Sequence, residues 1–155
     1  MPGADVGRVL GVDLGGRRIG LAVSDPEGIL ASPHGILERA RGGPKGSSGR
    51  HADLRAVLDA ARSLGATTIV VGLPLSMSGS VGPAARGVLE EVEHLRTLAA
   101  ADGANDIAVE THDERLSSVE ADRALAAAGS RGRGAPNDDA AAAVILQSWL
   151  EADGG

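Results

Sequence analysis

The chain contains no cysteine, phenylalanine or tyrosine, and Trp149 is its only aromatic residue. Without cysteine the protein can form neither a disulfide nor a thiolate metal site. Its core must therefore consist of Leu, Val, Ile and Ala side chains. The longest apolar run, Ala140 to Leu146, is far shorter than the roughly 18 residues that a membrane span needs. The amino-terminal residues show no export signal, and we expect a cytoplasmic protein that does not enter a membrane.

The formal net charge of −6 argues mildly against binding of nucleic acid through bulk electrostatics, because domains that bind in this way are usually basic. The basic residues of interest are grouped in three predicted loops. The groups are Arg17 and Arg18; Arg39, Arg41, Lys45 and Arg50; and Arg131 and Arg133. A nucleic-acid surface confined to one edge and ordinary solvated charges explain each group about equally well.

The length of 155 residues fits one domain with a sizeable core. We expect a single domain over residues 1–155 with a flexible start at 1–7 and a mobile loop at 38–50. That loop is rich in glycine and serine, so it has too little apolar surface to pack.

The stretch Arg8 to Ser24 predicts a β-hairpin, and a third strand is expected at 29–37. Two apolar runs flank a glycine-rich turn, and Asp13 lies where the first run ends. Gly15 and Gly16 allow positive φ at this turn and leave no Cβ beside the carboxylate, so that a metal-bound phosphate can approach the backbone closely. An ordinary turn that contains Asp explains the same residues equally well.

Strands and helices are predicted to alternate in the remainder of the chain. Pro33 cannot donate to a sheet ladder, which places the third strand at a sheet edge. The apolar spacing then predicts helix 51–64, strand 68–71, helix 83–101, strand 107–110, helix 118–128 and a last Ala-rich helix. An antiparallel three-strand meander followed by alternating strands and helices predicts an α/β fold with a mixed sheet and helices on both faces.

Several carboxylates are predicted at strand ends or at the start of the last helix: Asp13, Asp113, Glu114, Asp138 and Asp139. Ligands bind such sheets beyond the carboxyl ends of parallel strands. If the last helix packs beside the first strand, these acids converge and suit Mg²⁺ or Mn²⁺. Two such ions about 3.5–4 Å apart would activate a water molecule and stabilise the leaving oxygen of a phosphodiester. Each acid also has a structural explanation: the last two would complement a helix dipole, and the middle two would pair with Arg115.

Four segments, in this order and at this spacing, resemble the YqgF/RuvX family: VDLGGRRIGLAVSDPEG, IVVGLPLSMSGSVGPAA, HDERLSSVEADRAL and DDAAAAVILQSWLE. The resemblance extends from about Val9 to Glu151. It implies a ribonuclease-H-like fold and a nuclease that hydrolyses phosphodiester bonds with Mg²⁺ or Mn²⁺. The implied task is maturation of the 5′ end of pre-16S rRNA, with Holliday-junction-type branched DNA as the alternative substrate.

The resemblance also implies which residues act. Its acidic motifs fall on four residues that are expected to be catalytic: Asp13, Asp113, Glu114 and Asp138. Metal ligands are expected at Asp13, at Glu114 (or Asp113) and at Asp138. Substrate contacts are expected from neighbouring residues, although the arginines among them would equally serve to tether carboxylates: Arg17, Arg18, Arg115 and Ser76. His112 is treated as incidental to the site.

The chain departs from the family pattern at several positions. Gly16 stands where many members have Thr, which removes a hydroxyl near the expected metal. Asn137 replaces the usual apolar residue before the last Asp, Asp139 adds a neighbouring acid, and the lysine that often precedes that Asp is absent. The register of the C-terminal ligand, Asp138 or Asp139, therefore stays open.

Two further hypotheses remain. A non-catalytic RNA-binding module in transcription or ribosome assembly would share the fold, but the retained acids argue against it. An ATPase of the actin or sugar-kinase type would share the Asp13-Leu14-Gly15 motif, but it needs two related domains. We expect the protein to be a monomer or a weak homodimer.

Overall fold

The structure, a computed structural model, describes residues 7–39, 47–103, 106–116 and 138–154. Its strands are β1 (Arg8–Leu14), β2 (Arg18–Ser24), β3 (Ala31–Glu38), β4 (Ala66–Leu73) and β5 (Ala108–Asp113). Its α-helices in these ranges are α1 (Ser47–Leu64), α2 (Pro83–Ala101) and α3 (Asp138–Trp149). A 3₁₀ turn, Glu114–Leu116, follows β5, and a π-helical turn, Leu150–Gly154, follows α3.

The strands form one sheet in the order β3-β2-β1-β4-β5. β1 pairs with β2, and β2 with β3, in antiparallel orientation, whereas β4 is parallel to both β1 and β5. This arrangement confirms the predicted mixed sheet and places the strand that contains Pro33 at an edge. Carboxyl ends of β1, β4 and β5 consequently lie at the same end of the sheet.

Helices cover both faces of the sheet, as predicted. On one face, which we call the α1/α2 face, branched aliphatic side chains form the larger core, including Leu10, Val12, Leu54, Leu58, Ile69, Val71, Val92 and Leu95. On the opposite face, the α3 face, the core is smaller: Val9, Ala22, Val70, Ala142, Ile145, Leu146, Trp149 and Leu150. Successive strand residues alternate between the two cores because side chains of a strand point to opposite faces of the sheet.

Two glycines let α3 approach the sheet closely. A Cβ at Gly11 would lie 2.7 Å from the Cβ of Leu146 and 3.1 Å from the carbonyl oxygen of Ala142. A Cβ at Gly72 would lie 2.6 Å from Cδ1 of Ile145. The neighbours of Gly11, a Cβ and a backbone oxygen, cannot move aside, so the middle of β1 needs glycine to seat this helix. At Gly72 a Cβ would instead require the tips of the Ile145 and Glu114 side chains to shift.

Several predicted boundaries were wrong. β3 covers Ala31–Glu38 rather than 29–37, and β4 covers Ala66–Leu73 rather than 68–71. α1 begins at Ser47 rather than at 51, so part of the expected mobile loop 38–50 is helical, and residues 40–46 lie outside the described residues. β5 continues to Asp113 instead of ending at 110. The flexible start at 1–7 and helix 118–128 also fall almost entirely outside the described ranges.

The β1–β2 turn does not use the positive φ that its two glycines allow. Neither Gly15 nor Gly16 has a positive φ. Gly15 is instead needed for space, since a Cβ there would lie 2.7 Å from the carbonyl oxygen of Arg18. At Gly16 nothing lies within 4 Å of a Cβ, so this position of the turn is open.

No described helix combines the length and the apolar composition that crossing a bilayer requires.

Candidate active site

Asp13 lies at the carboxyl end of β1 on the α3 face. Val9 belongs to the α3-face core and Gly11 contacts α3, so the alternation of the strand directs Asp13 to the same face. Val12, just before it, pairs with Val71 on the parallel strand β4. Asp13 is therefore next to the end of β4, where the strand residue after Val71 is a glycine.

Glu114 occupies the space that this glycine, Gly72, leaves open. A Cβ at Gly72 would lie 2.8 Å from Oε2 and 3.1 Å from Cγ of Glu114. The pKa of Glu114 is raised above its ordinary value, first by burial and then by the negative charges of Asp13 and Asp113. The structure thus brings Glu114 and Asp13, separated by a hundred residues of sequence, to one partly buried and negatively charged position.

Asp113, although adjacent in sequence, is held elsewhere by Arg115. The Arg115 guanidinium donates from Nη2 to Oδ2 at 2.7 Å and from Nε to both carboxylate oxygens at 3.1 Å, and its backbone N–H donates to Oδ1 at 2.9 Å. These hydrogen bonds lower the pKa of Asp113. Strand alternation also directs Asp113 to the α1/α2 face, since Val109 on the same strand belongs to that core. The structural explanation offered for the acid pair, an ion pair with Arg115, therefore applies to Asp113.

The start of α3 brings a third acid toward the same strands. Asp138 is the first residue of the helix, one turn or about 6 Å before Ala142, whose carbonyl oxygen touches the space at Gly11. The side chain of Asp138 lies outside the described residues, and Asp139 follows it in the helix. Among the described side chains, no three His, Asp or Glu residues form a group able to hold a metal ion. What the structure describes of the predicted ligand set is the pair of Asp13 and Glu114.

His112 has a structural partner that the sequence did not indicate. It is buried, it pairs in register with Gly72, and its Nε2 lies 2.8 Å from Oγ of Ser148 on α3. This hydrogen bond joins β5 to α3 beside the carboxylates. The residue therefore helps to fix the helix in place.

Arg115 contacts the loop that follows β4, which contains Ser76. The hydroxyl of Ser76 lies 3.0 Å from that of Ser78 and 2.7 Å from that of Ser80. Nη1 of Arg115 donates to the carbonyl oxygen of Met77 at 3.2 Å. Arg115 thus joins Asp113 to this exposed serine loop.

Arg17 and Arg18 lie in and just after the β1–β2 turn. Arg17 is exposed, whereas Nε of Arg18 donates to Oε2 of Glu38 on β3 at 3.3 Å. Arg17 is consequently the better placed of the two to meet a phosphate near Asp13. Both assignments to substrate remain predictions.

Arg39 does not belong to the basic surface in which its sequence neighbours were grouped. Its side chain is 3% exposed and forms hydrogen bonds to Asp53, to Glu91 and to the carbonyl oxygen of Gly15. Of the other residues in that group, Arg50 lies 3.8 Å from Glu90. Four of the grouped basic residues fall outside the described ranges: Arg41, Lys45, Arg131 and Arg133.

Comparison with known proteins gives relatives across nearly the whole chain. A family model described as RuvX, Holliday junction resolvase, matches residues 7–152. A protein of Nocardia farcinica named "Putative pre-16S rRNA nuclease" is 41% identical over 147 residues, which cover 94% of this chain and 78% of that relative. Proteins of the same name from Mycobacterium ulcerans and Kineococcus radiotolerans are 39% and 42% identical, over 97% and 93% of this chain and 82% and 71% of their own lengths.

Solved structures show the same fold at much lower identity. RuvC of T. thermophilus, in complex with a Holliday junction substrate, has a TM-score of 0.58 at 16% identity, with 96% of each chain covered. The yeast mitochondrial Holliday junction resolvase Ydc2 has a TM-score of 0.59 at 16% identity, covering 96% of this chain and 80% of its own. These likenesses confirm the ribonuclease-H-like fold. Because the family model and relatives of about 40% identity both extend over nearly the whole chain, the chain belongs to the RuvX family.

Proposed function

We propose that this chain is a divalent-metal-dependent nuclease that hydrolyses phosphodiester bonds in nucleic acid, with pre-16S rRNA as its substrate. The observation that carries the proposal is the placement of Glu114 over Gly72 beside Asp13, where burial and then the charges of Asp13 and Asp113 raise the pKa of Glu114. Curated relatives of about 40% identity carry the name of that rRNA activity, which supports RNA as the substrate.

The residues present fit a divalent cation. Asp13 and Glu114 supply the hard oxygen donors that Mg²⁺ and Mn²⁺ prefer. Their mutual repulsion in a partly buried position would be relieved by a cation between them. The missing Cβ of Gly72 is what allows the Glu114 carboxylate to lie there, so the backbone is shaped around that carboxylate. We assign Asp13, Glu114 and Asp138 as the ligands.

When bound, the metal would supply an activated water and charge stabilisation for the oxygen that leaves the phosphodiester. The protein's own part is to hold the carboxylates at the ends of rigid strands. Arg17, exposed in the β1–β2 turn, is placed to orient a phosphate. Arg115 holds Asp113 and the serine loop together, and Ser76 is proposed to contact the substrate backbone from that loop.

The test is cleavage of two substrates, a 5′-extended 16S rRNA fragment and a four-way DNA junction, each with Mg²⁺ or Mn²⁺. We expect cleavage of the RNA fragment, and we expect Asp13→Asn to lower its rate about 10³-fold, which corresponds to about 4 kcal/mol of transition-state stabilisation. Asp59→Asn serves as the matched control, because Asp59 is an exposed acid on α1. It should cleave at the wild-type rate.

Each other outcome has a definite meaning. An Asp13→Asn protein that cleaves at the wild-type rate contradicts the proposed site. RNA binding that is indifferent to both metal and mutation, without cleavage, indicates the non-catalytic module. Cleavage of the junction alone makes branched DNA the substrate.

A further inference from the structure

The buried cluster of Arg39, Asp53 and Glu91, which we call the Arg39 cluster, lies outside the proposed ligand set. Arg39 Nη1 donates to Asp53 Oδ2 at 3.1 Å and to Glu91 Oε2 at 2.8 Å, and Nη2 donates to Glu91 Oε1 at 3.0 Å. All three side chains are at most 4% exposed. Asp53 belongs to α1 and Glu91 to α2, so the cluster joins both helices of the α1/α2 face to the residue that follows β3.

One donor of Arg39 reaches out of this cluster to the turn that carries Asp13. Its Nε donates to the carbonyl oxygen of Gly15 at 2.8 Å. The Gly15 N–H in turn donates to the carbonyl oxygen of Asp13 at 3.0 Å. The backbone N–H of Arg39 donates to the carbonyl oxygen of Arg17 at 2.9 Å, on the other side of the same turn. Residues 13–17 are therefore held at two points by Arg39.

The chemistry of arginine explains why this residue can make these contacts together. A guanidinium is planar and presents five donors in a fixed fork, so its two ends can serve carboxylates while Nε serves a carbonyl. The two carboxylates fix the fork from two different helices. The direction of Nε is then set by the packing of α1 and α2, which form the larger aliphatic core with the sheet.

Buried ion clusters are weak evidence for a role in stability, because well-packed apolar residues often replace them without loss. We infer that Arg39 is a positioning residue, which transmits the rigidity of the α1/α2 face to the Asp13 turn and so fixes the Asp13 carboxylate for metal binding. This inference rests on the proposed function for the metal, but the hold on the turn can be measured without it. It assigns to Asp53 and Glu91 the task of orienting Arg39.

The main test replaces the whole cluster by apolar residues in one variant, Arg39→Met with Asp53→Leu and Glu91→Leu. The three charges of the cluster are then removed together rather than one at a time, so the variant should fold. Three quantities are measured: the amide hydrogen exchange of residues 15–17 in metal-free protein, the Kd for Mn²⁺, and kcat separately from KM. We expect faster exchange at the turn, a Kd raised about tenfold and a kcat lowered about tenfold with little change in KM, as for other groups that orient metal ligands.

Two further variants complete the test. Arg39→Lys keeps the charge but has no fork, so it should give smaller changes of the same sign in exchange and Kd. Arg55→Met is the matched control, because Arg55 joins α1 to the end of α2 through Asp102 at 2.8 Å and does not take part in the Arg39 cluster. It should leave exchange at residues 15–17, the Kd and kcat unchanged.

The outcomes separate this inference from the proposed function. If Asp13→Asn abolishes Mn²⁺ binding while the apolar variant keeps wild-type exchange and Kd, the positioning role is wrong and the proposed function stands. If the apolar variant does not fold, Arg39→Lys takes its place in this comparison. If Asp13→Asn leaves Mn²⁺ binding and cleavage intact, the proposed function fails. In that case, faster amide exchange at residues 15–17 in the Arg39 variants still supports the hold of Arg39 on the turn.

Discussion

On the α1/α2 face the strands present branched aliphatic side chains to two helices, whereas on the α3 face β1 and β4 present Gly11 and Gly72 to one helix. The α1/α2 face is packed with aliphatic side chains, and the buried charged side chains described on it belong to the Arg39 cluster. The second face ends in Asp13 and Glu114, whose carboxylates repel each other. One side of a single sheet thus supplies stability, and the other accepts an electrostatic cost at the position where we propose catalysis.

The sharpest way to break this comparison is to change the two neighbouring acids that fall on opposite faces. Glu114→Gln should lower the cleavage rate about 10³-fold, because it removes a proposed metal ligand, equivalent to about 4 kcal/mol in the transition state. Asp113→Asn should lower the rate tenfold or less, since Asp113 is held by Arg115 and acts through that residue. Single-turnover cleavage of the 5′-extended RNA measures both. Equal losses of rate in the two variants would show that catalysis is not confined to the α3 face.

A cavity in the α1/α2 face should lower stability and leave the cleavage rate unchanged. Leu58 is fully buried in the larger core. Leu58→Ala should lower the free energy of unfolding by about 3 kcal/mol, because the core side chains around it relax only partly into the space. Urea unfolding measures this loss, and the cleavage rate per folded molecule should stay at the wild-type value. A loss of rate in fully folded protein would mean that the two faces are coupled at this position.

A methyl group added on the α3 face should move Glu114 without removing it. A Cβ at Gly72 would lie 2.8 Å from Oε2 of Glu114, so Gly72→Ala should displace the carboxylate and lower the cleavage rate about tenfold. Gly87→Ala is the control: a Cβ there has no neighbour within 4 Å, and alanine should stabilise α2 by about 1 kcal/mol. Thermal melting measures the stability of both variants, and the cleavage assay measures their activity. Wild-type activity in Gly72→Ala would show that the position of Glu114 is not critical.

The smallest expected effect is a pH dependence of stability in metal-free protein. Folding raises the pKa of Glu114 above 4.5, so the folded state binds more protons than the unfolded state between that value and the raised pKa. Stability should therefore fall as pH rises through this interval. Glu114→Gln removes this loss, so its melting temperature should match wild type near about pH 4 and exceed it at about pH 7.

The control for this comparison is Glu110→Gln, an exposed glutamate on the same strand as His112. It should follow the wild-type melting curve at each pH. If the melting temperatures of wild type and Glu114→Gln stay parallel across this pH range, Glu114 carries no electrostatic cost in the folded protein.

Much of the sheet could be predicted because its signals are local. Alternating apolar runs, Pro33 at an edge and the order of strands and helices were sufficient for the mixed sheet. The convergence of Asp13 with Glu114 followed from the rule that ligands gather at the carboxyl ends of parallel strands. The sequence did not indicate which of Asp113 and Glu114 lies beside Asp13. That depends on where β5 ends, because a strand that continues to Asp113 also directs the Asp113 side chain to one face of the sheet.

Other features could not be predicted because their causes are distant in sequence. Arg39 precedes a run rich in glycine and serine, and only its contacts with Asp53 and Glu91, on two helices, reveal that it is buried. The need for glycine at position 15 likewise comes from a carbonyl oxygen across the turn and not from backbone φ. In both cases the local pattern is typical of a loop, while packing decides the conformation.

The most direct test of the proposed site is a crystal structure of the protein grown with Mn²⁺, with anomalous difference density used to locate the ion. The account predicts a peak within coordination distance of the carboxylates of Asp13 and Glu114 and of the acid at the start of α3. Density at Asp113 in place of Glu114, or no peak near Asp13 at saturating Mn²⁺, would contradict it.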